Sequence, residues 1–239
     1  MRIQFEFNIE KLPLSYRLGT LSVLKEMIHT GSSKFYDYLF IKNKTKMKPF
    51  THASYVQNLK LSEDEIFGEK LILTVSSSSY EFIMHLMNGS HRKTNYQYKN
   101  FKLTLTQKRL LPKPPKFSPI ITFKTGSPVL IETKDKKPLL GNEKGFEKEF
   151  NYYAELLSNE LYNRNLFESL KIINIATKKV VIKEHLHQDQ GRPIYLTANH
   201  GLIQLQGHPE DLKLIYENGI GRRRSLGLGL LNIEEVTYQ

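Results

Sequence analysis

Residues 2–9 alternate between apolar and polar side chains, with Ile3, Phe5, Phe7 and Ile9 on one face. That is the period of a strand buried on one side. Pro13 ends the alternation. From Tyr16 the spacing turns helical, and Leu18, Leu21, Leu24 and Ile28 form one stripe. Gly31 suits a helix C-terminus, and Ser32 or Ser33 can cap a second short helix running through Leu39. A basic loop, Lys42 to Lys48, leads to strands over 49–60 and 68–77. A helix from Ser78 to Met87, ending near Gly89, comes next. A strand over 94–108, with Tyr96, Tyr98, Phe101, Leu103 and Leu105 interleaved with polar residues, completes a β-α-β-β-α-β unit.

Pro112, Pro114 and Pro115, with Lys113 and Lys116 among them, then interrupt the chain. The spacing predicts a domain boundary here, between residues 1–112 and 117–239. Beyond it the same order returns. A strand or hairpin over 118–133 turns around Gly126, and a helix runs from Glu143 to Arg164. Strands follow over 169–185 and 193–206, then a short helix from Pro209 to Glu217 and a closing strand from Leu226 to Val236. The expected fold class is α+β, with two tandem ferredoxin-like (RRM-like) domains. Each would be a four-stranded antiparallel sheet with two helices on one face. The halves share this pattern but show no repeat at the residue level.

Composition narrows the partners. Hydrophobic residues make up 39% of the 239, enough for buried cores. No apolar run approaches the roughly 20 residues that span a bilayer. The alternating N-terminal stretch reads as a strand and not as a signal peptide. There are no cysteines, which excludes disulfides, thiolate metal sites and cysteine nucleophiles. An intracellular, cytoplasmic setting fits best. The formal net charge of +11 attracts polyanions and makes nucleic acid the leading partner. A membrane surface fits less well, because the Lys and Arg residues are spread along the chain.

The sharpest local feature is Gly219-Ile-Gly-Arg-Arg-Arg-Ser-Leu-Gly-Leu-Gly229. Gly219, Gly221, Gly227 and Gly229 let the backbone approach a ligand closely. Arg222, Arg223 and Arg224 supply planar donors for phosphate, with Ser225 beside them. The segment follows a helix and precedes a strand, the reverse of a dinucleotide-binding loop, and no Gly-Lys-Ser/Thr of a P-loop is present. It reads as a cradle for a phosphate backbone.

This segment, with the short apolar strand after it, resembles the C-terminal glycine-rich motif of the CRISPR repeat-cleaving endoribonucleases of the RAMP superfamily. Phe117-Ser-Pro-Ile120 resembles that family's opening of the second half, Glu147-Lys-Glu-Phe its long helix, and Lys48-Pro-Phe-Thr its second-strand entry. The resemblance covers nearly the whole chain. It implies a tandem ferredoxin-like fold and cleavage of precursor CRISPR RNA within its repeats, without metal or cofactor. The RNA's own 2′-OH attacks the adjacent phosphate, leaving a 2′,3′-cyclic phosphate and a 5′-OH. The implied partner is repeat RNA; a place in a CRISPR effector complex and a homodimer stay open.

That chemistry needs a proton acceptor, a proton donor and a cation for the developing charge. Histidine suits the first two and lysine or arginine the third. The family commonly places its histidine just after the first helical region, where this chain has Phe40 following Tyr38-Leu39. Two nearby histidines can substitute. His29 lies one turn beyond Lys25, and His52 begins the second strand. Lys46 sits where the family has an assisting lysine, and Tyr36 and Tyr38 can orient the phosphate. The expected catalytic set is therefore His29, His52, Lys46, Lys25 and Tyr38. Arg222, Arg223, Arg224, Lys42, Lys44, Lys48, Lys113 and Lys116 are expected to hold the RNA backbone. His185, His187, His200 and His208 lack zinc-site spacing, and no Asp/Glu cluster suggests a two-metal nuclease. The competing reading is a non-cleaving RNA-binding relative or scaffold subunit on the same fold, which Phe40 favours.

Overall fold

The computed structural model describes residues 1–114, 116–185 and 193–234, so Pro115, His187 and Val236 lie outside it. In the first half β1 (Arg2–Asn8) and β2 (Lys11–Pro13) precede α1 (Arg17–Gly31) and α2 (Ser33–Tyr36). A π-helical turn, Asp37–Lys42, leads into β3 (Phe50–Gln57), β4 (Lys60–Leu61), β5 (Glu65–Phe67) and β6 (Lys70–Ser77). Then come α3 (Tyr80–Arg92), β7 (Asn95–Tyr98) and β8 (Phe101–Leu110). The second half holds β9 (Ile120–Thr125), β10 (Ile131–Glu132), β11 (Pro138–Leu139), α4 (Phe146–Tyr162), β12 (Lys171–Glu184) and β13 (Ile194–Gln206). It closes with α5 (Pro209–Asn218), a 3-10 turn (Arg224–Leu226) and β14 (Leu231–Ile233).

The two main sheets share one topology. The first is ordered β3-β6-β1-β8-β7 and the second β12-β13-β9-β14, with every pairing antiparallel. In each half the first strand of the β-α-β-β-α-β unit lies between the third and the fourth. The chain is α+β with two ferredoxin-like units, as the periodicity predicts. Each unit has its own core. Ile3, Phe5 and Phe7 are fully buried beneath Leu24, Met27 and Phe82 in one, and Phe123, Phe150 and Ile215 meet in the other. No helix among the described residues is long and apolar enough to cross a membrane.

Four local expectations change. Gly89 does not stop α3, which runs on to Arg92. It lies instead at a helix crossing. A Cβ on Gly89 would meet the carbonyl oxygen of Met27 at 1.7 Å, and one on Gly31 that of His85 at 2.0 Å. The two glycines let α1 and α3 touch backbone to backbone. The strand expected over 94–108 folds back at Lys99, with φ +52°, into the β7–β8 hairpin. Of the strand or hairpin expected over 118–133, the strand forms as β9 and the hairpin does not: β10 pairs with β11, and Val129 bridges Asn199. Among the described residues the closing strand covers Leu231–Ile233, and Leu226 and Leu228, expected within it, are buried in the segment that Thr51 of β3 holds at the Leu228 carbonyl.

That seam is densely bonded. Arg2, on β1, is 7% exposed. Its guanidinium lies 3.6 Å from the Tyr216 ring centroid and donates to Asn232 Oδ1 at 2.7 Å and to the Tyr216 carbonyl at 2.8 Å. It also donates to the Leu231 carbonyl. Burial brings its pKa down to about 10, so it stays charged near neutral pH. The long β12–β13 hairpin reaches back to the first half, where the buried Glu184 pairs with Arg17 at 3.2 Å.

Candidate RNA-binding cleft and catalytic cluster

Beside the seam lies an open cleft of about 1120 Å³. One wall is the basic loop, with Lys44 and Lys46 exposed. The floor is Gly221 to Ser225, and the opposite wall is α4 with β10. The structure thus brings together two segments that the sequence separates by more than 170 residues. The loop owes its shape to Lys48. Its Nζ donates to the carbonyls of Asn43 at 2.7 Å, Lys44 at 3.2 Å and Lys46 at 2.7 Å. Desolvation, and then the nearby charge of Lys25, lower the Lys48 pKa. This lysine braces the loop from inside and also lines the cleft. Lys42 is exposed outside the cleft lining, as are Lys113 and Lys116 in the connector.

The glycine-rich segment is less open than expected. Gly219 lies against the Thr51 side chain, Gly229 against the Ile220 carbonyl, and Gly227 against the ring of His52. None of the three lines the cleft. Thr51 Oγ1 donates to the Leu228 carbonyl at 2.8 Å, tying the segment to β3. Arg224 is 5% exposed and is also turned inward. It donates to the Asn218 carbonyl, and to that of Lys48 at 3.0 Å, so it joins floor to loop. Burial lowers its pKa to about 9. Arg222 and Arg223 are the partly exposed cations of the floor, and Arg222 is held in an ion pair by Glu132.

His52 is the clearest departure from expectation. It has no exposed surface, and its Nε2 lies 3.1 Å from the Ser225 carbonyl, as a donor in the tautomer with a proton there. Burial pushes its pKa down to about 4, against a smaller opposing effect of the Ser225 bond. A side chain sealed beneath Gly227 cannot reach a phosphodiester, so His52 drops out of the catalytic set. Tyr38 also faces elsewhere, with its ring stacked 6.3 Å from that of Phe35.

Of the remaining candidates, His29 and Lys25 lie with Tyr36 and Phe40 in one cluster, while Lys46 stands on the cleft-lining loop. His29, exposed near the end of α1, meets Tyr36 edge to face at 5.1 Å between ring centroids. Tyr36 tilts against Phe40 at 5.3 Å, and Lys25 Nζ lies 5.0 Å from the Phe40 centroid. Tyr36, not Tyr38, is the tyrosine beside His29. Lys25 in turn lowers the Lys48 pKa by charge repulsion, so its ammonium lies near the base of the loop, while none of Lys25, His29 and Tyr36 lines the cleft itself. Among the described residues, no group of three or more His, Cys, Asp or Glu side chains could hold a metal ion. His200 Nδ1 instead bonds Thr125 Oγ1 at 2.8 Å, and His208 caps α5 at Glu210 N, 3.3 Å away.

Topology and cleft together define a tandem ferredoxin-like protein with a cationic groove beside the seam of its halves. The C-terminal model of the CRISPR-associated protein Cas6 matches residues 111–233. The chain belongs to the Cas6 family. The CRISPR-associated endoribonuclease Cas6 1 of Methanocaldococcus jannaschii is 24% identical over 250 residues, covering 98% of this chain and 94% of that protein. A solved RAMP protein described as binding different RNA substrates superposes with a TM-score of 0.81 at 18% identity, over 98% of this chain and all of the other. A Cas6-related protein from Pyrococcus furiosus gives 0.79 at 20% identity, over 98% of both chains.

Proposed function

We propose that this protein is an endoribonuclease that cuts precursor CRISPR RNA within its repeats, using the RNA's own 2′-OH and no metal. The observation that carries the reading is the exposed His29, in contact with Tyr36 and one helical turn from Lys25, beside a loop that walls a cationic cleft. Family membership and the name of the Methanocaldococcus jannaschii relative support the same substrate class. In the proposed step the 2′-oxygen bonds to phosphorus and the P–O5′ bond breaks. His29 accepts the proton of the 2′-OH, the departing 5′-oxygen takes a proton from water, and the imidazolium then returns its proton to solvent. Lys25 and Lys46 supply positive charge where the phosphorane oxygens become more negative. Tyr36 holds the imidazole in place through the edge-to-face contact of the two rings. Arg222, Arg223, Lys44 and Lys46 hold the strand by its phosphates.

A second reading, an RNA binder that does not cut, draws on one specific observation. Phe40 occupies the centre of the cluster where the family commonly has a histidine. The two readings separate in one experiment, in which the protein is incubated in EDTA with cognate repeat RNA. The endoribonuclease reading expects cleavage, a 2′,3′-cyclic phosphate on the upstream product, and no cleavage when the nucleotide at the cut carries 2′-deoxyribose. Binding without product would establish the second reading.

A further inference from the structure

The two walls of the cleft differ in kind. The loop wall presents Lys44 and Lys46 and no carboxylate. The α4 wall presents a single helical row, Lys148, Tyr152, Leu156 and Glu160, each four residues after the last and all facing the cleft. Glu149 faces it as well. Tyr152 is 57% exposed, a large aromatic surface left uncovered on a cleft wall. Its ring is fixed edge to face against Tyr153 at 5.5 Å, and the Tyr153 hydroxyl donates to the Glu132 carbonyl at 3.2 Å. Glu132 in turn holds Arg222. The aromatic platform and the floor arginine are therefore braced by one residue.

We propose that Tyr152 is a stacking platform for an unpaired base of the bound RNA, and that α4 is the base-facing wall while the Lys44–Lys46 loop is the phosphate-facing wall. This rests on the RNA-binding reading of the cleft given above. Charge decides the orientation. A phosphate track laid along α4 would run past Glu149 and Glu160 as well as Lys148 and Lys134, whereas the charged side chains of the loop opposite are all cations. Base edges suit the α4 side, because carboxylates accept hydrogen bonds from exocyclic amino groups and an aromatic face accepts any base. The base must be unstacked at this point, since a base inside a duplex has both faces covered by its neighbours.

The test is binding of single-stranded repeat RNA, followed by fluorescence anisotropy across a salt series. Tyr152→Ala should weaken binding roughly tenfold or more, because loss of one base–aromatic stack has about that effect. Tyr152→Phe, which keeps the ring, should bind within about twofold of the native protein. The salt slope should be unchanged in Tyr152→Ala and reduced in Lys46→Ala, since only the latter removes a phosphate contact. Abasic nucleotides placed one at a time along the repeat should reveal one position where Tyr152→Ala has no further effect. Native affinity in Tyr152→Ala, or a loss that no abasic position absorbs, overturns the platform. Absence of any salt-sensitive binding by the native protein would overturn the underlying RNA-binding reading instead.

Discussion

The ring of His52 lies directly over the α-carbon of Gly227, so close that a Cβ there would stand 2.7 Å from Cε1 and 3.0 Å from Nδ1. Gly227 also has φ +81°, a left-handed conformation that costs any other residue strain. The two halves of the molecule meet through this contact. Gly227→Ala should therefore destabilise the fold by about 1–3 kcal/mol, combining backbone strain with overpacking. Chemical denaturation would measure it as a lower midpoint.

The same contact makes the fold sensitive to mild acid. His52 is held neutral, with its pKa lowered from 6.5 to about 4. Between those values the unfolded chain binds a proton that the folded chain refuses. Stability is thus unpenalised above pH 6.5 and falls as the pH drops toward about 4. The full loss from this group would be about 3 kcal/mol. His52→Gln should flatten the dependence of unfolding free energy on pH across this window, whatever its effect at neutral pH.

The three consecutive arginines should separate by experiment. Arg222→Ala should lower the salt slope of RNA binding by about 0.7, the contribution of one phosphate contact on a single strand. Arg224→Ala should instead destabilise the protein by about 2–3 kcal/mol, because the carbonyls of Asn218 and Lys48 lose a buried charged donor. Parallel melting curves and binding isotherms at several salt concentrations would distinguish the two.

Much of the architecture was legible in the chain. The alternation of Ile3, Phe5 and Phe7 gives the face that the structure buries, and of the stripe Leu18, Leu21, Leu24 and Ile28 the last two are fully buried while Leu18 and Leu21 are half-buried. The doubled strand–helix order follows from such local periods, which depend only on side-chain direction. What the sequence conceals is where elements meet. Gly89 looks like a helix stop, yet it serves a crossing, because a missing Cβ suits both. The run from Gly219 to Gly229 reads as a cradle for phosphates, yet Ile220, Leu226 and Leu228 are buried. Leu226, Leu228 and Leu230 at alternate places were the available sign of burial. His52 sits on a strand whose buried face at that end is set by the other half of the molecule, so no local pattern marks it. The Lys148–Tyr152–Leu156–Glu160 row is visible as a helical spacing, but nothing local says that it faces a lysine loop a hundred residues earlier.

The most direct test of the account is single-turnover cleavage of repeat RNA by His29→Ala, with binding followed in the same samples. General acid–base groups typically contribute about 10²–10⁴ in rate. His29→Ala should therefore cut at least about a hundredfold more slowly while its Kd stays within about twofold of the native value. Cleavage by His29→Ala at the native rate would contradict the assignment of chemistry to the cluster of His29, Tyr36 and Lys25.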